Sequence, residues 1–290
     1  MNWFVLSLAC AYFMSTSELF SKLLMRDNDE WTIGCGMVLT SLTFLAPLLI
    51  GLDSFPLSRD LIVLMAIQIP FEILAYYIYL SAIRIAPLSL SVPYLSFTPV
   101  FAILTAALLL QERISFQGFL GILIVTVGAY VLNIERFVHH PLAPFKAIFK
   151  SPGSRRMLVV AIIWSLTSTL GKKGVQLSDP LFFGIFYTIS VSVPMLAIAG
   201  WRIKRGVATV NLKGRNLIWL ALGGLVTAMA TLTHFHAIQL APVSYMIAVK
   251  RTSLIFSVLY GGLIFKEAHI RLRLLGASIM LSGAVMLYIA

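Results

Sequence analysis

Ten apolar stretches, each about as long as a lipid bilayer is thick, occupy most of this chain. A hydrocarbon core of about 30 Å requires about 20 apolar residues in one helix. Only 11% of the residues are charged, against about 25% in soluble domains, so the chain lacks the polar surface of a water-soluble protein. We predict an all-α integral membrane protein with ten transmembrane spans. In order, these spans cover residues 3–25, 31–51, 60–84, 88–109, 114–134, 157–177, 180–201, 216–240, 243–265 and 270–290.

The termini, the cysteines and the net charge exclude several other classes. No basic residue precedes the first apolar stretch, so we predict a membrane span there and not a cleaved signal peptide. Cys10 and Cys35 both lie in apolar stretches and indicate neither a disulfide framework nor a metal site. The net charge of +11 has no soluble basic domain to occupy, so nucleic acid is not expected as a partner.

The two halves of the chain repeat each other. A shift of 155 positions aligns residues 82–134 with 237–289 without a gap, and sixteen of the 53 aligned positions are identical. We predict two five-helix units, at residues 1–134 and 157–290, joined by a basic linker at 135–156. Because five is an odd number, the second unit crosses the membrane upside down. Inverted repeats are typical of secondary transporters, in which the substrate site lies near the bilayer midplane.

The distribution of basic residues predicts the orientation in the membrane. Fifteen Lys and Arg residues lie in or beside the loops that follow odd-numbered spans, whereas the opposite side has only Arg59 and Arg113. Since cytoplasmic loops carry the excess of basic residues, we place the odd-numbered loops in the cytoplasm and both termini outside. We expect the bacterial inner membrane as the location.

Three features together resemble a known family. They are the ten spans in two units, the spacing of Trp164 and Lys172 in span 6, and the acidic residues Glu112 and Glu267 that end spans 4 and 9. This pattern resembles the EamA family of the drug/metabolite transporter superfamily over the whole chain. The resemblance implies a central cavity lined by spans 1, 3, 4, 6, 8 and 9, with spans 5 and 10 at the periphery. The first unit departs from the pattern, with Met14 where a Trp would precede Lys22.

The charged pair Lys250 and Arg251 is the main candidate for substrate binding. Both residues lie inside span 9, where each charge costs about 2.5–3.5 kcal/mol on the insertion scale. The equivalent residues of the first half are Leu95 and Ser96, so the repeat scaffold does not require this pair. The pair either binds an anionic substrate group, Arg251 through its guanidinium fork, or pairs with a buried carboxylate.

Two carboxylates, Glu18 in span 1 and Glu72 in span 3, lie within apolar spans. Desolvation raises the proton affinity of such a group, so one of them is a candidate for carrying a coupling proton. The alternative is that each is a counter-ion for a neighbouring base.

Further candidates lie at the ends of spans and on one face of spans 3 and 8. Lys22 and Lys172 are candidate substrate ligands near the ends of their spans. The alternative is that these side chains, like that of the neighbouring Lys173, extend to the membrane–water interface. Glu72, Tyr76 and Tyr79 align by the 155-residue shift with Thr227, Thr231 and His234 at helical spacing. We therefore expect Tyr76, Tyr79 and His234, and not His236, to face the cavity.

Two prolines, Pro93 and Pro99, lie in span 4, and span 9 has no proline at the equivalent positions. Proline frees backbone carbonyl groups and permits a kink. We expect a flexible span 4, with Tyr94 at its bend as a further substrate ligand, beside a straighter span 9.

These observations favour a secondary transporter for a small anionic or zwitterionic metabolite, working by alternating access, with a flippase for an anionic lipid headgroup as a variant. One alternative is a proton-coupled exporter of amines or cationic drugs that uses Glu18 and Glu72. Another is a membrane scaffold that transports nothing. We expect no enzyme, cofactor or metal, and no ATP-driven step because the chain has no Walker loop. The protein would contact membrane lipid and act as a monomer or homodimer.

Overall fold

A computed structural model describes residues 2–51, 55–85, 92–132, 151–208, 211, 213–265 and 270–290 of the chain. Most of the predicted linker, residues 133–150, lies outside the described residues, as does Glu267. All regular secondary structure in the described residues is helical.

Eleven α-helices follow one another along the described chain. They are α1 (Trp3–Leu24), α2 (Glu30–Leu45), α3 (Arg59–Ile85), α4 (Thr98–Leu110), α5 (Phe116–Leu132), α6 (Pro152–Leu177), α7 (Pro180–Lys204), α8 (Arg215–Leu240), α9 (Val243–Lys250), α10 (Ser253–Phe265) and α11 (Ile270–Tyr288). Two 3₁₀ segments, Ala46–Gly51 and Val92–Phe97, follow α2 and precede α4. Seven helical stretches of the described residues are long and apolar enough to cross a membrane, with α9 and α10 joined as one of them, and three shorter apolar helices accompany them.

Capping residues define where several helices begin. Asp29 accepts a hydrogen bond from the Thr32 N–H at the start of α2, and Asp179 accepts one from the Phe182 N–H at the start of α7. Ser151 caps α6, and a proline follows at the first helical position, where its missing N–H costs no hydrogen bond. The helix therefore begins five residues before the predicted span, and residues 152–156 of the predicted linker are helical.

Spans 4 and 9 are both interrupted at the same place. Span 4 changes from 3₁₀ to α-helix at Thr98, and span 9 resumes at Ser253, which is 155 residues further along. The expectation of a straighter span 9 was wrong. At its break the Thr252 N–H bonds to the Val249 carbonyl, and the Thr252 hydroxyl bonds to the same oxygen. These tight local bonds end the helix without proline, because they replace the ordinary helical pattern.

The same shift relates close backbone contacts between α5 and α11. A Cβ atom added to Gly128 would lie 2.5 Å from the Met280 N, and one added to Gly283 would lie 2.7 Å from the Val125 N. Only glycine permits backbones to approach this closely. Elsewhere α1 packs on α8, and α3 packs on α6.

A large apolar cluster lies toward one end of the bundle. It contains residues of α1, α3, α4, α6, α7, α8 and α9, among them Leu6, Met65, Phe183 and Phe235. Phe183 and Phe235 meet edge to face with ring centroids 5.0 Å apart. Helices of both halves contribute to this cluster, which lies toward the end of the bundle where α4, α6 and α8 finish.

Candidate functional site

A cavity of about 370 Å³ lies at the centre of the bundle. Its size falls within the range of small-molecule sites, about 300–1,000 Å³. Side chains of α1, α3, α4, α6, α7, α8 and α9 line it, together with Arg251 at the break after α9. None of the described lining residues comes from α5 or α11. The cavity is charged: Glu18, Glu72, Lys250 and Arg251 all contribute to its wall.

The two cations of the cavity are incompletely partnered. Arg251 donates from Nη2 to the Thr98 hydroxyl at 2.8 Å, and within the described residues its buried Nε has no hydrogen-bond partner. Lys250 Nζ lies 3.4 Å from Nδ1 of His234, a long contact. Neither cation has a carboxylate within 4.0 Å in the described part of the chain. Buried charges are normally paired with an opposite charge. Two buried cations without a carboxylate partner therefore make this wall of the cavity a candidate binding site.

The two carboxylates of the cavity differ in their surroundings. Glu18 is exposed to the cavity and accepts a hydrogen bond from the Ser257 hydroxyl at 3.3 Å. Glu72 is half-buried, and the side chains of Thr167 and Tyr187 lie close enough to act on its carboxyl group. Its second oxygen, Oε2, has no partner among the described residues. Both carboxylates act electrostatically on Lys250.

His234 and His236 lie on different sides of α8. His234 lines the cavity and contacts the Phe235 ring edge to face at 4.9 Å. His236 bonds through Nδ1 to the Leu232 carbonyl of its own helix, at 2.7 Å. The structure therefore brings His234 together with Lys250, Arg251, Glu18 and Glu72, all of which the sequence singled out.

Lys172 does not line the cavity. Its Nζ pairs with Oε1 of Glu112 at 2.5 Å and donates to the Ala241 carbonyl at 2.7 Å. The other oxygen of Glu112 accepts from the Val243 N–H at 2.8 Å, so this acid also caps the start of α9. We call these four residues the clamp. Lys22 and Lys173 are exposed and, like Lys172, are absent from the described lining of the cavity.

The predicted tyrosines also lie away from the cavity lining. Tyr76 meets Trp31 edge to face at 4.9 Å and stacks on Tyr79, whose ring lies 5.6 Å from that of Trp164. Trp164 does line the cavity, so this aromatic row ends at its wall. Tyr94 is 1% exposed, in the apolar cluster formed by α3, α6 and the segment before α4.

Several residues that line the cavity were not predicted from the sequence. Gln68 is one helical turn before Glu72, a spacing that places both on one face of α3, and its position in an apolar span was a usable signal. Thr98, Thr167 and Tyr187 had no such signal, because single hydroxyl groups are common in membrane helices. Their roles depend on helix rotation, which the sequence leaves open.

A second ion pair lies near the opposite ends of the helices. Arg202 at the end of α7 donates to Asp29, which caps α2, at 2.6 Å. Partial burial raises the pKa of the Asp29 carboxyl group, but the hydrogen bonds and charge of Arg202, with the Thr32 N–H, outweigh it. The pKa of Asp29 therefore lies below its ordinary value.

A bundle of apolar helices around a charged cavity of small-molecule size is the arrangement of a multi-pass membrane transporter. The chain belongs to the EamA-like transporter family, whose model matches residues 1–134 and 153–289. This places it in the drug/metabolite transporter superfamily. A solved crystal structure of a protein shares the fold, with a TM-score of 0.75 and 16% identity over 98% of this chain and 95% of that one. No curated protein matches the chain.

Proposed function

We propose that the protein is a secondary transporter that moves a small anionic or zwitterionic solute by alternating access. The solute enters the central cavity, and its acidic group binds Arg251 and Lys250. Rocking of the two five-helix units then changes the side to which the cavity opens. We further propose ten spans in a bacterial inner membrane, with the odd-numbered loops in the cytoplasm.

The observation that carries this proposal is the unpartnered Nε of Arg251. Its guanidinium group is fixed by Thr98 at one nitrogen, so the free N–H has a defined position. An oxyanion accepting from this N–H gains a charge-assisted hydrogen bond, the stronger class of hydrogen bond. Lys250 supplies a second positive charge at the adjacent position. A scaffold without transport function would have no use for two such groups.

Ligand-induced stabilisation of the purified protein tests the proposal. The probes are sulfate and succinate as anions, glycine betaine as a zwitterion and tetraphenylphosphonium as a cation. We expect an anion or the zwitterion to raise the denaturation temperature of the wild type, and Lys250→Ala and Arg251→Ala to abolish the response. Ser96→Ala is the matched control, because Ser96 is the first-half equivalent of Arg251.

The opposite result supports the amine exporter. If only tetraphenylphosphonium stabilises the protein, and both variants respond as the wild type does, the site is Glu18 and Glu72 and the anion proposal is wrong. Phosphatidic acid added to the same panel identifies the lipid-headgroup variant. A C-terminal reporter that is active only in the cytoplasm tests orientation, and we expect it to be silent.

A further inference from the structure

We infer that Glu72 is protonated, that its O–H group donates a hydrogen bond to Oε1 of Gln68, and that this protonation favours the binding of an anion at Lys250 and Arg251. The proton site stands on the geometry of α3 alone. Its coupling to transport rests on the proposed function.

Two buried acceptor oxygens on α3 have no donor. They are Oε1 of Gln68 and Oε2 of Glu72, both without a hydrogen-bond partner among the described residues. Gln68 is 2% exposed, and its amide nitrogen is already committed to the Thr167 carbonyl at 3.1 Å. A buried polar group without a partner costs about 1–3 kcal/mol, and more when it is charged. Residues four apart on a helix are neighbours on one face, so one donor can serve both oxygens.

A single proton meets this need. Protonation of the Glu72 carboxylate at Oε2 makes an O–H group, and this group donates to Oε1 of Gln68. The step satisfies both oxygens and removes a charge from the centre of the span, where desolvation disfavours it. A metal ion fits less well, because neither oxygen has accessible surface and Lys250 repels a second cation nearby. The hydroxyl groups of Thr167 and Tyr187 already act on the same carboxyl group.

Glu18 is the contrasting carboxylate. It is exposed to the cavity and accepts a hydrogen bond from the Ser257 hydroxyl, so its surroundings supply the donor that Oε2 of Glu72 lacks. The groups around Glu72 that titrate or carry charge come from the elements packed on α3 and from the cavity. They are Tyr187 on α7, Lys172 on α6 (paired with Glu112), Lys250 on α9, Arg251 at the break after α9, His234 on α8, and Cys10 and Glu18 on α1.

The sign of the coupling follows from the charges of the cavity. With Glu72 ionised, two carboxylates face two cations and the cavity is neutral overall. With Glu72 protonated, Lys250 loses one of the two carboxylates that act on it, and one positive charge remains unbalanced. That state suits a solute with one net negative charge. Because linkage is reciprocal, an anion at Lys250 and Arg251 favours the proton on Glu72 to the same degree. Proton and anion therefore bind together, as in symport.

Infrared spectroscopy of the purified, ligand-free protein tests the inference through the carbonyl stretch of a protonated carboxyl group. We expect this band in the wild type at neutral pH, its loss in Glu72→Gln and its retention in Glu18→Gln. In Gln68→Leu the band moves to higher frequency, because the acceptor of its hydrogen bond is gone. In Lys250→Met it persists to higher pH than in the wild type, by about one pH unit or more, because the opposing positive charge is absent.

The results test the proton site and its coupling to anion binding separately. A wild type without the band at neutral pH, or a Glu72→Gln variant that keeps it, overturns the proton site. An unchanged titration in Lys250→Met overturns the coupling. None of these measurements needs a substrate, so they stand even if the ligand panel refutes the proposed function. Where sulfate does bind, at a pH above the midpoint at which the band of the free protein is lost, we expect proton uptake of up to one per sulfate in the wild type and none in Glu72→Gln.

Discussion

Spans 4 and 9 both change backbone conformation at equivalent positions, but only span 9 carries charges there. In each, a helix begins at equivalent residues, Thr98 and Ser253, after a non-α segment. Just before these helices the first half has Leu95 and Ser96, whereas the second has Lys250 and Arg251. The break is therefore a feature of both five-helix units, whereas the charges occur in the second unit only. Discontinuous helices of this kind form the substrate sites of many transporters.

The acidic side of the cavity shows the reverse asymmetry. Gln68 and Glu72 on α3 align with Gly223 and Thr227 on α8, which carry no charge. The first half thus supplies the acceptors and the second half the donors. A cavity built in this way gains its polarity from differences between two similar units. The residue equivalent by the repeat is then a ready control for each substitution.

We expect the largest loss of stability from a substitution in the clamp, which joins the end of span 4 to the start of span 9. Lys172→Met leaves the Glu112 carboxylate and the Ala241 carbonyl without their donor. Removing one partner of a buried pair costs about 3–5 kcal/mol, because the other charge stays buried. Denaturation of the purified protein by SDS measures the loss. The exposed neighbour Lys173→Met is the control, and a variant at 172 as stable as this control contradicts the role of the clamp.

A smaller loss is expected where the two breaks contact each other. Thr98→Val removes the hydroxyl group that accepts from Arg251, and hydrogen bonds to charged groups contribute about 1.5–3 kcal/mol. Ser253→Ala is the matched control, since within the described residues its hydroxyl makes no hydrogen bond. We expect Thr98→Val to lower both the unfolding free energy and the anion response, and Ser253→Ala to change neither. Equal effects of the two would mean that Arg251 needs no anchor from the first half.

At the periphery, unlike in the cavity, equivalent substitutions in the two halves should cost similar stability. Gly128→Ala and Gly283→Ala each press a methyl group onto the backbone of the opposite helix, at equivalent contacts. Overpacking costs about 1–3 kcal/mol, and the two variants should lose similar amounts. Gly200→Ala, which meets nothing within 4 Å, is the control. Thermal denaturation checks this, and a marked difference between the two variants would break the equivalence of α5 and α11.

These contrasts show which parts of the molecule were predictable from its sequence. Apolar length, the 155-residue shift and the high cost of charge in a membrane predicted the helical membrane protein, its family and the charged residues of the cavity. Lys172 was misjudged because sequence spacing gives depth but not rotation, and Glu112 lies 60 residues away. The break after Lys250 was missed because no proline marks it. Partners across helices depend on packing, which hydropathy does not encode.

The smallest effect distinguishes the two capping aspartates, Asp29 and Asp179. Each caps the second helix of its half, but Asp29 also pairs with Arg202. Since its folded pKa lies below its ordinary value, the stability it contributes is present above the unfolded pKa of about 3.9 and is lost as pH falls through the folded value. Asn retains the cap but not the charge, so Asp29→Asn should lower stability by at most about 1 kcal/mol at neutral pH and by less in acid. Asp179→Asn keeps the cap and breaks no salt bridge of the described residues, so it is the matched control. Denaturation midpoints between neutral pH and about pH 3 measure the difference, and parallel pH profiles for the two variants would assign both aspartates to capping alone.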